Sequence, residues 1–346
     1  MENNYVVLIF DHNAGGGSHY YIEYEIKKRI EKSEIVYLTR YDLSTSKYII
    51  KTFNKNINTN FETKELIDCF NFISKVKFDE IFINSLVTYP QVSKTIELIL
   101  QIHEKNKNCK MVISIHDYFI ICPSYNLLNY NKEFCFIPED TSVCSKCLKN
   151  TDINIWREKW WYKILNKSTQ ILCFSNSSKN IFLKVYSDLS SKINVMPHKT
   201  RDKLKKIYTP KLNKENNEIR IGILGNIHIS KGANIVKDLV EYIDNNKINA
   251  KVIVIGSLHL KIESNSLEIT GEYKRSNLEN IVKNKNINRF LIPSICPETF
   301  SYTTEEVIQM GYPLFVFNIG AQAERVSNYP LGRVVEINNF YEYILK

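Results

Sequence analysis

The feature that most limits the fold is an alternation of short apolar runs with amphipathic stretches, which occurs twice along the chain. In the first half the strand-like runs are YVVLIF (5–10), EIVYLT (34–39), FDEIFINS (78–85), CKMVISIHD (109–117), QILCFS (170–175) and INVMP (193–197). Strands separated by helices imply right-handed crossovers and a parallel sheet with both faces covered. The first half is therefore predicted to be a Rossmann-like domain.

The same alternation restarts after a polar, lysine-rich segment at 199–217, which we interpret as a linker because it has no apolar period. The strand-like runs there are EIRIGILGN (218–226), AKVIVIGS (250–257), RFLIPSI (289–295) and YPLFVFNIG (312–320). Helices are predicted from about Lys231, near 275–285 and near 302–311. The fold class is thus α/β, with doubly wound domains at 1–198 and 218–346 expected to face each other across a cleft. Ligands bind beyond the carboxyl ends of such strands.

Charge and hydropathy narrow the class of protein. The 346 residues carry a net charge of +9, and no apolar run reaches the length of a membrane span. We expect a cytoplasmic protein, and the basic linker could attract an anionic membrane or a diphosphate-bearing substrate. No nucleic-acid-binding motif is visible, so nucleic acid is not an expected partner.

A glycine-rich turn follows the first predicted strand. Gly15, Gly16 and Gly17 lead into a helix near Ser18, where backbone N–H groups could approach an anion. The turn is not a dinucleotide fingerprint, because Tyr20 stands where the third glycine would fall. A flexible turn without a ligand is the alternative.

Two further strand ends carry polar residues. His116 follows the fourth predicted strand, where an imidazole could hydrogen-bond a substrate hydroxyl or could be purely structural. In the second half, GILGNIHISKG puts Gly225 at a strand end and Lys231 at a helix start. A lysine there suits a diphosphate, although a solvated lysine is the simpler alternative.

The stretch PETFSYTTEE (297–306) turns from a strand into a helix. The backbone N–H groups from Phe300 to Thr303 are those that a helix start leaves without intrahelical partners, so they could hold phosphate oxygens. Glu298 and Glu306 would lie on either side of that anion site and accept hydrogen bonds from sugar hydroxyls. The alternative is that the acidic residues in the first turns only complement the helix dipole.

A cysteine cluster lies within a predicted insertion at 118–150. Cys122, Cys135, Cys144 and Cys147 have the spacing C-x(12)-C-x(8)-C-x(2)-C, which favours a closed structural zinc site. A redox or disulfide role and thiols without metal are the alternatives. The nearby segment INIWREKWWYKIL (153–165) could rest on a membrane surface, but we expect its tryptophans to pack in the core.

Taken together, these motifs resemble a retaining nucleotide-sugar glycosyltransferase of the GT-B architecture, family 4, in a polysaccharide-building branch. Glu298 and Glu306 match the E-x(7)-E pattern, and HDYFIICPSYNLL, GNIHISKG and NSLVTYP also look similar to that branch. The resemblance extends over almost the whole chain.

The resemblance implies a role for each matching residue. Glu298 would bind donor-sugar hydroxyls, Glu306 the ribose, and Lys231 the diphosphate. His116 would lie over the donor sugar. The remaining implied donor contacts are the glycines of the first turn (Gly15, Gly16, Gly17), the strand end (Gly225, Asn226) and the helix start (Phe300, Ser301, Thr303). Many members carry arginine where this chain has Asn226, which would leave more of the charge compensation to Lys231.

The implied activity is transfer of a sugar from a nucleotide diphosphate donor to a saccharide or lipid-linked acceptor during surface polysaccharide biosynthesis. No cofactor is required in this scheme, and contact with the inner face of the membrane is an added expectation. One alternative is a catalytically silent GT-B-like scaffold that binds a partner through the cysteine loop. Another is a two-domain sugar epimerase of similar shape.

Overall fold

The computed structural model describes residues 4–13, 15–55, 58–148, 151–199, 203–208 and 218–346. The chain divides into two compact units. Unit 1 comprises Met1–Tyr125 and Ile137–His198, and unit 2 comprises Asn126–Phe136 and Lys199–Lys346. We predicted that the whole insertion 118–150 belongs to the first domain, whereas the structure groups Asn126–Phe136 with unit 2.

Unit 1 is built on one sheet of eight strands among the residues described. Its strands are β1 (Val6–His12), β2 (Ile35–Asp42), β3 (Lys47–Phe53), β4 (Asn58–Thr63), β5 (Glu80–Ile83), β6 (Lys110–Ser114), β7 (Gln170–Cys173) and β8 (Ile193–Val195). Their order is β4-β3-β2-β1-β5-β6-β7-β8. The six predicted strands are confirmed and run parallel.

The sheet of unit 1 is mixed, which corrects the prediction of a purely parallel sheet. Strands β3 and β4 form an antiparallel hairpin on the edge beside β2. Strand β4 is mostly exposed, with the sequence NTNFET. A strand of this kind lacks the continuous apolar run that marks a buried parallel strand, so the pattern search did not detect it.

The helices of unit 1 are α1 (Gly17–Glu31), α2 (Leu66–Ile73), α3 (Val92–Lys105), α4 (Tyr162–Lys167) and α5 (Asn176–Leu183). A π-helical turn at Ile155–Trp161 precedes α4. Trp156 and Trp161 are buried, and the Trp156 indole donates a hydrogen bond to the Phe119 carbonyl at 2.8 Å. The expected core packing is confirmed for these two tryptophans, while Trp160 is half-buried.

Unit 2 is a doubly wound parallel sheet. Its strands are β9 (Ile219–Ile227), β10 (Ala250–Leu258), β11 (Leu267–Ile269), β12 (Arg289–Ile292), β13 (Leu314–Phe317) and β14 (Gly332–Val335). They are all parallel and lie in the order β11-β10-β9-β12-β13-β14. The direction of winding reverses at β9, and a ligand crevice in such sheets lies at the carboxyl ends of the strands at this switch point.

Helices cover both faces of this second sheet. The helices are α6 (Ala233–Asn245), α7 (Leu278–Asn284), α8 (Tyr302–Met310), α9 (Gly320–Ser327) and α10 (Tyr341–Ile344). Helix α6 packs on one face through Val236 and Leu239, and Phe134 packs against the same cluster. Helices α7 and α8 pack on the other face.

Part of the predicted linker is docked on unit 2. Leu204, Ile207 and Tyr208 pack against the cluster that contains α7 and α8, and the Ile207 N–H donates to the Met310 carbonyl at 3.1 Å. Of the predicted linker 199–217, only Lys199 and residues 203–208 belong to the described part of the chain.

A buried polar network joins the carboxyl ends of four strands in unit 1. Asp11 is fully buried and accepts two hydrogen bonds from Arg40, at 2.6 and 3.0 Å. The Asn84 amide donates to the other Asp11 oxygen at 2.7 Å, and Ser114 donates to the Asn84 amide oxygen at 2.8 Å. Strands β1, β2, β5 and β6 are therefore tied together at one edge.

We predict that Asp11→Ala lowers the stability of the chain by about 3 kcal/mol, because removing one partner of a buried ion pair leaves the other charge uncompensated. Differential scanning calorimetry should show that the unfolding temperature falls by several degrees. The exposed Asp68 provides the control, and Asp68→Ala should leave the transition almost unchanged. Equal shifts for both variants would contradict this account.

Candidate functional site

The centre of the candidate site in unit 2 is an ion pair between Lys231 and Glu298. Lys231 ends a 3-10 turn after β9, and Glu298 lies in the loop after β12. The Lys231 Nζ lies 2.7 Å from the Glu298 Oε1. The Glu298 side chain is only 8% exposed, whereas that of Lys231 is 36% exposed. The lysine side chain is therefore partly exposed, while the carboxylate that it contacts is shielded.

The two groups keep each other charged. Burial alone would raise the pKa of Glu298, but the Lys231 ammonium and the hydrogen bond from Ser294 hold it below the ordinary value. Burial likewise disfavours the charged form of Lys231, but the Glu298 carboxylate holds the Lys231 pKa above its ordinary value. The site therefore presents one positive group with its countercharge at neutral pH.

The Glu298 loop is pinned to the start of α9. The Glu298 N–H donates to the Gln322 side-chain oxygen at 3.2 Å, and the Gln322 amide donates to the Cys296 carbonyl at 3.0 Å. The Ala321 N–H donates to the Glu298 carbonyl at 2.9 Å. Gln322 is fully buried. It was missed from the sequence, because a glutamine inside a helical pattern carries no motif.

Gly232 sets the position of Lys231. It has a φ of +87°, and a Cβ at this residue would lie 2.0 Å from the Pro293 carbonyl oxygen. The Ile295 N–H also donates to the Ser230 carbonyl at 3.1 Å. The turn after β9 is thereby packed directly against the chain leaving β12, which brings Lys231 and Glu298 together.

The predicted helix at 302–311 is confirmed as α8, and its first turn lies beside β9. The hydroxyl of Ser301, which is buried, caps the helix by accepting from the Thr304 N–H and hydroxyl. The same hydroxyl also hydrogen-bonds the Glu298 carboxylate, so it links the start of α8 to the ion pair. The Thr303 methyl lies 3.7 Å from where a Cβ of Gly225 would be, and Phe300 stacks edge-on against Tyr302 at 5.0 Å.

Two other predicted donor contacts are engaged with neighbouring side chains. Glu306 accepts a hydrogen bond from the Arg275 Nε at 2.7 Å. The Asn226 side-chain oxygen accepts from the Ser257 hydroxyl at 2.8 Å. Asn226 lies near the carboxyl end of β9 and Glu306 lies in α8, and their contacts with a donor remain predictions. Arg275 and Ser257 were missed, because they lie in segments that no spacing rule interprets.

His228 is a further group that the sequence analysis missed. Its Nδ1 lies 3.1 Å from the Ser230 hydroxyl, and its ring centroid lies 6.1 Å from that of His259. Burial lowers the pKa of His228, and the nearby Lys231 and His259 lower it further. His228 belongs to the turn GNIHISKG, so its closeness in sequence to Lys231 could have identified it as a candidate site residue.

In unit 1 the predicted residue His116 is surrounded by rings that the sequence analysis missed. Its ring lies 4.7 Å from that of Tyr21, 4.2 Å from that of Phe174 and 5.0 Å from that of His198. Burial and the imidazoles of His198 and His12 hold the His116 pKa well below its ordinary value. Burial lowers the pKa of His198 to about 3. His116 is therefore a neutral imidazole, which can exchange hydrogen bonds without carrying charge.

The glycine turn leads into the helix that contacts His116. Gly15 and Gly16 are exposed, with φ values of +74° and +81°, and α1 begins at Gly17. The Ser18 hydroxyl lies 2.6 Å from the His12 Nε2, which braces the turn. Tyr21, one turn into α1, connects this segment to His116. The turn and the histidine thus belong to the same edge of the first sheet.

The four clustered cysteines do not form a metal-binding group. Across the part of the chain that the structure describes, no set of three or more His, Cys, Asp or Glu side chains is arranged to hold a metal ion. Cys147 is exposed, and Cys122, Cys135 and Cys144 are half-buried. The structural zinc site is not tested by these positions and stays a prediction.

Comparison with known proteins identifies the fold. No family model matches the chain, and no curated protein matches its sequence. Among solved structures, sucrose-phosphate synthase from Thermosynechococcus elongatus is similar with a TM-score of 0.62 at 14% identity, over 99% of this chain and 89% of that one. A glycosyltransferase from Rickettsia africae has a TM-score of 0.60 at 18% identity, over 97% and 85%.

A third similar structure is Anabaena HepE in complex with UDP-glucose, with a TM-score of 0.55 at 13% identity, over 98% of this chain and 88% of that one. The chain thus has an α/β fold with two Rossmann-like units, the fold of GT-B glycosyltransferases. Among the described helices, none combines the length and apolar character needed to cross a bilayer.

We predict that Gly232→Ala destabilises the chain by several kcal/mol, because a Cβ there is both strained at positive φ and in collision with the Pro293 carbonyl. Gly271 is a matched control, since its φ is +78° and a Cβ would meet nothing within 4 Å. Gly271→Ala should cost only about 1–2 kcal/mol. Thermal unfolding measures both, and an equal loss in the two variants would refute the role of the close packing.

Proposed function

We propose that the chain is a retaining, metal-independent glycosyltransferase that moves a hexose from a nucleotide diphosphate donor to a saccharide or lipid-linked acceptor in surface polysaccharide biosynthesis. The observation that carries the proposal is the Lys231–Glu298 ion pair at the switch point of a doubly wound sheet, beside the start of α8. The UDP-glucose in the similar HepE structure supports this class of donor.

The proposed chemistry uses the charges of this site. Breaking the bond between the anomeric carbon and the diphosphate leaves negative charge on the leaving group. Lys231 and the backbone N–H groups at the start of α8 would stabilise that charge and so lower the barrier. Glu298 would accept hydrogen bonds from hydroxyls of the donor sugar, and it is not assigned the role of a general acid.

Retention of configuration would follow from attack on the face that the leaving group departs from, with the departing phosphate taking the proton of the acceptor hydroxyl. The neutral imidazole of His116 suits a hydrogen bond to the donor sugar, because an imidazolium next to an oxocarbenium-like centre would raise the energy of the transition state. The glycine turn at Gly15–Gly17 would contact the phosphates. The acceptor class and a location at the inner face of the membrane belong to the proposal as well.

The proposal is tested by incubating the chain with UDP- and GDP-sugars and oligosaccharide acceptors. Nuclear magnetic resonance of the product should show the same anomeric configuration as the donor. A scaffold without activity would give no turnover and bind no nucleotide, and an epimerase would convert the donor without an acceptor. Each of these outcomes would overturn the proposal.

We predict that Lys231→Met weakens nucleoside diphosphate binding and sugar transfer by about 100-fold, since a charge contact of this kind is typically worth a few kcal/mol. The matched control is Lys237→Met in α6, where the lysine is half exposed and lies 3.6 Å from Glu241. Isothermal titration calorimetry with UDP or GDP measures the first effect. Equal affinities for the two variants would exclude Lys231 from the site.

We also predict that sugar transfer persists in excess EDTA, because Lys231 and the N–H groups of α8 would compensate the charge of the leaving group. The measurement is the initial rate with and without chelator, at matched ionic strength. A loss of rate that Mg²⁺ or Mn²⁺ restores would contradict the metal-independent scheme.

A further inference from the structure

One ion pair in unit 2 links the segments that follow two non-adjacent strands, β11 and β12. Arg275 begins a 3-10 turn that follows β11, and Glu306 lies in α8, which follows β12. In the sheet, β10 and β9 lie between β11 and β12. The strands that precede these two elements, β11 and β12, are therefore about 14 Å apart, which is three strand spacings. The ion pair is mostly buried, with side-chain exposures of 20% and 12%.

The two strands between these elements carry glycines at their carboxyl ends. Gly225 of β9 and Gly256 of β10 are register partners. A Cβ on Gly256 would lie 2.1 Å from the Gly225 carbonyl oxygen. Gly256 is buried and Gly225 is half-buried, so the two glycines let the backbones of β9 and β10 lie in close contact beside the start of α8.

We propose that Arg275 is a positioning residue that fixes the carboxylate of Glu306 to accept hydrogen bonds from ribose hydroxyls, so that the site selects ribonucleotides over 2′-deoxyribonucleotides. The inference rests on the proposed function, since it assigns the nucleoside end of the same donor site. It adds a residue that the E-x(7)-E pattern does not contain.

The chemistry of the pair supports this role. The Arg275 Nε is bonded to one carboxylate oxygen, and a carboxylate has about four acceptor positions, so Glu306 can be held and still accept from hydroxyls. Charge-assisted hydrogen bonds are about twice as strong as neutral ones, which gives the carboxylate one orientation.

The same helix provides an internal comparison. Glu305, one residue earlier in α8, pairs with Arg325 of α9. That pair also joins an arginine to a glutamate of α8, but α9 follows β13 on the other side of β12, so the contact does not span β9 and β10. Arg325→Gln therefore removes a guanidinium–carboxylate contact from α8 without touching the proposed nucleoside site.

The experiment is isothermal titration calorimetry of the full chain with UDP, GDP, their 2′-deoxy forms and inorganic pyrophosphate. The original chain should bind the better ribonucleotide roughly 10- to 100-fold more tightly than its deoxy form, as expected for hydrogen bonds to a charged acceptor. Arg275→Gln should reduce that ratio to the low value that Glu306→Gln gives. Arg325→Gln should keep the original ratio, and Arg275→Lys should give an intermediate one.

Pyrophosphate affinity separates positioning from direct contact. In Arg275→Gln it should change by less than about threefold, because the diphosphate is assigned to Lys231. An unchanged ratio of ribo- to deoxynucleotide in Arg275→Gln, or an equal loss for both sugars and for pyrophosphate, would overturn this inference and leave the proposed function standing. Failure of the original chain to bind any nucleoside diphosphate would overturn both. Thermal unfolding of each variant checks that it is folded.

Discussion

The contact between Lys231 and Glu298 is the interaction on which the candidate site depends. A half-exposed ammonium in front of a shielded carboxylate is stable only if both chain segments are held rigidly, since either charge alone would be poorly solvated. Two separate devices supply that rigidity. Gly232 lets the turn after β9 pack directly against the chain leaving β12. The Gln322 side chain holds the loop after β12 through two hydrogen bonds to its backbone. The position of the Lys231 side chain at this edge is thus a property of the packing around it.

Most of the fold could be predicted from the sequence because buried parallel strands are nearly continuous apolar runs. VVLIFDH of β1 and AKVIVIGSL of β10 are of this kind, and both were found close to their observed bounds. The hairpin of β3 and β4 was not found, since half-exposed edge strands mix polar and apolar residues. The transfer of residues 126–136 to unit 2 was also invisible, because a local pattern does not reveal which core a loop will join.

The candidate site was predictable to the extent that its residues lie in a short motif. Glu298, Lys231 and Glu306 stand at recognisable positions after strands. The structure brings Lys231 and Glu298 into contact in the segments that follow β9 and β12, and it places Glu306 in α8. Arg275 and Gln322 act through contacts with residues about 25 to 30 positions away. Such partners are set by strand order and helix packing, so no spacing in the sequence indicates them.

The segment 126–136 has a practical consequence for dividing the protein. Phe134 covers part of the apolar cluster that includes α6, although it precedes that helix by about a hundred residues. A recombinant fragment that starts at residue 199 would lack Phe134 and would expose an apolar surface prone to self-association. A fragment that ends at residue 198 would contain Phe134 but not the apolar cluster against which it packs. Producing either half alone therefore invites aggregation, and supplying the 126–136 peptide in trans offers a remedy.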